Sequence, residues 1–179
     1  MNTKFKKSEV FSLLDDISSK RIVYMDGGMG TMIQKYRFEE DDYRGKTFKK
    51  HKVDLKGNND VLNITKIEAI KDIHKQYILS GSDIIETNTF NGTSIAQSDY
   101  NLSDHVPDIN ICAVKAVKEA IIETSEQIKG RKIFIVGAIN KFDGHVFTFN
   151  FKDKKTPCIR CFFQEKIISD DILNCEYEG

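Results

Sequence analysis

The 179-residue sequence has no surplus of charge of either sign, since 27 lysines and arginines balance 27 aspartates and glutamates. Without a basic field nothing is available to hold a phosphate backbone or an anionic membrane surface, so nucleic acid is not an expected partner. Nowhere do about 18 apolar residues follow one another, the run that a membrane-crossing helix needs. The opening stretch MNTKFKKSEVFSLL carries lysines but lacks the apolar core of a secretion signal. No membrane association is expected, and the expected location is the cytoplasm. Four cysteines (Cys112, Cys158, Cys161 and Cys175) are too few and too unevenly spaced to staple a chain of this length, which points to reduced thiols. Internal repeats and low-complexity tracts are also lacking.

What is present is enough apolar material for one ordinary core, with 40% hydrophobic residues. Residues 8–19 predict a leading helix, with Val10, Phe11, Leu13, Leu14 and Ile17 on one side. Arg21 to Met25 is short, β-branched and apolar, and predicts a strand that stops at Asp26-Gly27-Gly28. After a first short helix, the polar stretch to Asn59 predicts a long excursion. Val61 to Ile64 predicts a second strand, and Thr65 with Glu68 predicts a capping box at the start of a helix. Ile70, Ile73, His74, Tyr77 and Ile78 recur at helical spacing up to Gly81, a left-handed cap. Ser82 to Glu86 predicts a third strand, residues 107–129 a long amphipathic helix, and Ile133 to Val136 a fourth strand. Strands alternating with helices predict an α/β fold with a parallel sheet; periodicity leaves open whether it is a Rossmann-like sheet or an eight-fold barrel.

Two phrases carry candidate chemistry. Met25-Asp26-Gly27-Gly28-Met29-Gly30-Thr31 lies where a strand hands over to a helix, so free amides converge beside one carboxylate. The amides suit the carboxylate of an amino acid and Asp26 suits its ammonium group; simple turn chemistry is the alternative. Glu86-Thr87-Asn88-Thr89-Phe90-Asn91 continues the third strand into polar residues at its C-terminal end, where parallel α/β folds gather ligands. Helix capping by Asn88, Thr89 and Asn91 is the alternative there.

Taken together, MDGGMGTMIQKYRFEEDDYRG, DLKGNNDVLNITK and GSDIIETNTFNGTSIAQSDY resemble the N-terminal homocysteine-binding domain of cobalamin-dependent methionine synthase, within the homocysteine S-methyltransferase family. The likeness is close over residues 21–102 and fades by Ala138. It implies a (β/α)8 barrel of the TIM type, of which this chain would supply about the first four β/α units. The expected layout is a leading helix at 1–20, the N-terminal half of the barrel at 21–138 and an unrelated tail at 139–179. The resemblance also implies homocysteine as substrate, with Asp26, Gly27 and Gly28 lining the amino-acid site and Glu86, Thr87, Asn88 and Thr89 on the same rim.

In that family zinc converts the homocysteine thiol into a thiolate nucleophile, and later domains supply folate and the cobalamin that carries the methyl group. The zinc ligands include an adjacent Cys-Cys pair, and this sequence contains none. Where the family pattern leads to a Gly-Pro-Thr-Asn phrase, this chain reads Ile139-Asn-Lys-Phe-Asp-Gly-His145. Neither zinc nor cobalamin is therefore expected to be bound by this chain. The expectation is a homocysteine methyltransferase by ancestry, in a truncated form that has lost catalysis, with a non-catalytic amino-acid-binding or interaction module as the alternative. A nucleotide-binding domain would want a G-x-G-x-x-G or a Walker lysine, and neither occurs at the glycine turn. Cys158-Ile-Arg-Cys161 with Cys175 and His145 is a lone C-x-x-C better read as incidental thiols than as a zinc site. His74 is expected to be packed rather than catalytic, and His51 and His105 have no recognisable partners.

Overall fold

The structure, a computed structural model, describes residues 9–137. The chain enters through α1 (Glu9–Lys20), turns through the glycine segment into α2 (Met29–Gln34), and passes α3 (Glu40–Arg44), α4 (Leu62–Thr65) and α5 (Ile67–Ser80) before β1 (Ile84–Glu86). It continues through α6 (Ser94–Gln97) and the long α7 (Val106–Glu123) to β2 (Phe134–Val136). β1 and β2 are parallel, with Ile84 opposite Phe134 and Glu86 opposite Val136. Parallel neighbours require a crossover, and α7 lies in the connection between them. The mixed α/β class and the parallel pairing of the third and fourth predicted strands are therefore observed.

The core lies where α5 and α7 pack together. Ile70 and Ile73 of α5 join Ile33, Tyr43, Leu55, Leu62, Leu102 and Ala116 in one buried cluster. Ile78, Ile85, Val117 and Ala120 form a second. Because side chains alternate across a strand, fully buried Ile85 faces the helices while Glu86 stands on the opposite face. α7 contributes small residues (Ala113, Ala116 and Ala120) at helical spacing, so the two helices approach closely. Outside this apolar contact Lys71, with only 12% of its side chain exposed, bridges Glu68 at 2.6 Å and Glu123 at 2.9 Å. Gly81 ends α5 at φ 112°, the left-handed cap expected of it. His74 is fully buried, and neither of its ring nitrogens has a hydrogen-bond partner. Burial holds its imidazole down at about 4, so it sits neutral in the packing, as expected.

Four expectations are corrected. Residues 61–64 are not a strand: Asn59–Val61 is a 3-10 turn that runs into α4. Asp60, Val61, Leu62 and Asn63 are all buried in succession, and a short buried run has no period to tell strand from helix. The capping box at Thr65 and Glu68 is absent, because Thr65 belongs to α4 and bonds the carbonyl of Val61, leaving Lys66 to precede α5. The reciprocal box forms instead at α3, between Glu39 and Asp42. The first strand shrinks to one parallel bridge between Met25 and Ile84, because the Tyr24 amide bonds the Asp83 carboxylate instead of a neighbouring strand. Finally, α7 stops at Glu123, where the buried Thr124 hydroxyl turns back to the carbonyl of Ala120 at 2.8 Å. α1 forms as predicted but buries none of its residues.

The expected tail at 139–179, with Cys158, Cys161, Cys175 and His145, lies outside the described residues. No helix among the described residues is long and apolar enough to cross a membrane. Ile73→Ala should lower unfolding stability by about 2–5 kcal/mol, whereas His74→Leu, which removes two orphaned polar atoms, should leave it equal or higher. Denaturant titration of the two variants checks both directions.

Candidate functional site

The C-terminal ends of Met25 and β1 meet because one residue aligns them. Asp83, with 1% of its side chain exposed, accepts both guanidinium nitrogens of Arg21 at 2.6 and 2.7 Å and the amide of Tyr24 at 3.1 Å. Its carboxyl is held below the ordinary range first by the Arg21 hydrogen bonds. One residue beyond the Met25 bridge, the amide of Asp26 donates to Ile84 at 2.9 Å, and its side chain accepts the amide of Glu86 at 3.0 Å. Two acidic residues are thereby brought together at one sheet end.

They open onto a cavity of about 370 Å3, a size that suits a small molecule. Asp26, Gly27, Gly28, Glu86, Thr87 and Asn88 line it, so the two sequence-predicted phrases converge there. Thr89 does not line it: it is buried, and its hydroxyl shares a hydrogen bond with that of Thr87 at 2.7 Å. Gly28 has φ 56°, and a Cβ there would lie 3.1 Å from the Tyr77 hydroxyl, so both backbone and space call for glycine.

Sequence reasoning missed the opposite wall. Gly57, Asn59 and Asp60 line the cavity too, and Asp60 accepts the amide of Asn91 at 2.9 Å. They fall in the GNND phrase at 57–60, which carries the family resemblance; because the chain there was expected to lead into a strand, it gave no reason to place a carboxylate on a rim. Asn88 ties the walls together, donating to the Asn59 carbonyl at 2.8 Å while its own carbonyl accepts Asn63 at 2.6 Å.

The electrostatics are one-sided. Among the described residues, the lining includes three carboxylates and no lysine or arginine. Burial pushes Asp26 up to about 7 and Asp60 up to about 6, and raises Glu86. Buried carboxylates that lack cations are poised to gain from a positively charged group entering beside them.

Residues 23–163 match the family model of homocysteine S-methyltransferase. The chain belongs to the homocysteine S-methyltransferase family. The match runs past Ile139, where the likeness was expected to end. Family membership raises the question of a metal, and the described residues do not fit one. They contain one free cysteine, half-buried Cys112 on α7, and no group of three His, Cys, Asp or Glu able to hold a metal ion. No step through zinc is assigned to them.

The titration of Asp26 gives a pH test with a defined sign. A carboxyl whose folded value lies near 7, above its ordinary 3.8, favours the folded state most at low pH, and that contribution fades as pH rises towards 7. Asn keeps the oxygen that accepts the Glu86 amide but cannot ionise. Asp26→Asn should therefore gain stability relative to the parent between pH 5 and pH 8, by roughly 1–2 kcal/mol after allowance for solvent screening. Chemical denaturation at the two pH values measures it; an unchanged difference would contradict the burial argument.

Proposed function

We propose that the cavity beside Asp26 binds homocysteine, and that this chain is the amino-acid-binding part of a methyltransferase of the methionine synthase type. The observation that carries the reading is the half-buried carboxylate of Asp26 at the glycine turn, in a cavity whose lining holds no lysine or arginine among the described residues, in a chain of the homocysteine S-methyltransferase family. Asp26 receives the ammonium group, with Glu86 adding negative potential, and the backbone amides that follow Gly28 receive the carboxylate. The parallel β1–β2 pair, the intervening α7 and a ligand cavity at the strand ends support a partial (β/α)8 barrel.

In this reading the described residues bind and orient the amino acid. Methyl transfer would further need a metal to activate the thiol and a methyl donor, which for the methionine synthase type would be zinc and cobalamin, and the described residues are assigned to neither. The alternative of binding without methyl transfer is favoured by the donor set, since the sequence has four cysteines and no adjacent pair.

Isothermal titration of the full chain with L-homocysteine should show saturable binding at pH 8. Binding should weaken towards pH 5 as Asp26 takes up its proton, and Asp26→Asn should weaken it by about tenfold or more at pH 8, the scale of one charge-assisted contact. Methionine formation by the chain alone is expected to be absent. Binding that ignores Asp26→Asn would refute the assignment of the pocket, and clear turnover would refute the division of labour.

A further inference from the structure

The ammonium and carboxylate contacts of an amino acid use Asp26, Glu86 and the glycine turn, and leave unexplained a set of buried polar side chains at and behind the rim. Asn58, Asp60, Asn63 and Gln97 are each at most 2% exposed. Such groups are costly to bury unless each finds a partner, and these converge on one segment, residues 88–92. Asn63 donates to the carbonyl of Asn88 at 2.6 Å. Asp60 accepts the amide of Asn91 at 2.9 Å, and Gln97 donates to the carbonyl of the same residue at 3.1 Å. Gln97 is itself fixed by a reciprocal amide pair with Asn58, at 2.7 and 3.2 Å. Asn110 holds the carbonyl of Gly92 at 2.9 Å. Gly92 is packed so tightly that a Cβ would come within 2.9 Å of the Asn110 side-chain oxygen and 3.0 Å of the Thr89 carbonyl.

The backbone bonds within this segment are local, such as that from the Gly92 amide to Thr89. Its position is therefore set by side chains reaching from outside it, of which Asp60 is the charged one, together with its own Asn88, which donates to the Asn59 carbonyl. Midway along the segment sits Phe90, 46% exposed and lining the cavity. A large apolar ring in a cavity that also holds three carboxylates is what the aliphatic part of an amino-acid ligand would pack against.

We infer that Asp60 is a positioning residue for the ligand: by accepting the Asn91 amide it fixes the rim so that the Phe90 ring walls the cavity shared with Asp26. The inference rests on the amino-acid reading of that cavity. It assigns Asp60 no contact with the ligand; its effect passes through Asn91 and Phe90.

A double-mutant cycle read by titration of the full chain with L-homocysteine tests this, because two residues acting through one wall are not additive. Phe90→Ala, at a half-exposed site that can be cut without harming the fold, should weaken binding about tenfold, as should Asp60→Ala. Phe90→Ala with Asp60→Ala should be no worse than either alone, within about twofold. Asp60→Asn, which keeps an oxygen for the Asn91 amide, should restore most of the affinity lost in Asp60→Ala, a rescue that separates geometry from charge. Full additivity, or Phe90→Ala binding like the parent, would overturn the inference. If Asp60→Ala does not fold, Asp60→Ser takes its place in the cycle, since its shorter side chain withdraws the oxygen from the Asn91 amide, and Asp60→Ser binding like the parent would overturn the inference. If the parent binds and Asp26→Asn abolishes binding while Phe90→Ala and Asp60→Ala do not weaken it, the positioning role fails and the pocket reading stands. If the parent binds no homocysteine, the pocket reading fails first.

Discussion

The buried carboxylate of Asp83 is the interaction on which the rest of this architecture depends. Its side chain joins Arg21 and the Tyr24 amide, its backbone amide donates to Tyr24, and its carbonyl accepts Phe134. Arg131 stands 3.5 Å from the same carboxylate and also donates to the carbonyls of Ser82 and Ile78. One residue thus joins three chain segments that are far apart in sequence. An unpaired carboxylate in that position would be strongly destabilising, so the two arginines and the alignment they enforce come as a unit. Asp26 and Glu86 reach the same sheet end because of it.

The cavity at that end is built against its own electrostatic interest. Three carboxylates share it, with Asp26 and Asp60 driven towards neutral pH by burial. A folded protein that keeps such groups without cations gives up stability that a neutral pocket would retain. The surrounding amide network takes the opposite course: Asn58, Asn63, Asn88 and Gln97 are buried and bonded. Hydrogen-bonded walls around acids without cations suit a ligand that brings a positive charge, and in this family the amino acid homocysteine is such a ligand.

Much of the frame was legible because long periodic segments carry their own signal. α5 and α7 are amphipathic over several turns, Gly81 marks an end, and β-branched residues mark β1 and β2. That Asp26 and Glu86 stand where a cavity opens was legible because each ends an apolar run at a polar turn, and Gly28 because its backbone demands glycine. Val61 to Ile64 misled for the converse reason: Val61, Leu62 and Asn63 are buried in succession and show no alternation. Asp60 stayed hidden because its sequence neighbours look like any polar loop, and only the approach of Asn91 from 31 positions away gives it a partner.

By itself the sequence determined the family, the succession of α5 and β1 and of α7 and β2, the core faces of α5 and α7 and the glycine turn, since each is carried by residues near one another in the chain. Tertiary structure decided that the first strand is one bridge, that residues 59–65 are helical, that His74 has no polar partner, and that Asp60 shares a cavity with Asp26. Those outcomes depend on which distant groups remove water from which side chains. Burial of that kind belongs to the folded chain as a whole and has no local period to read.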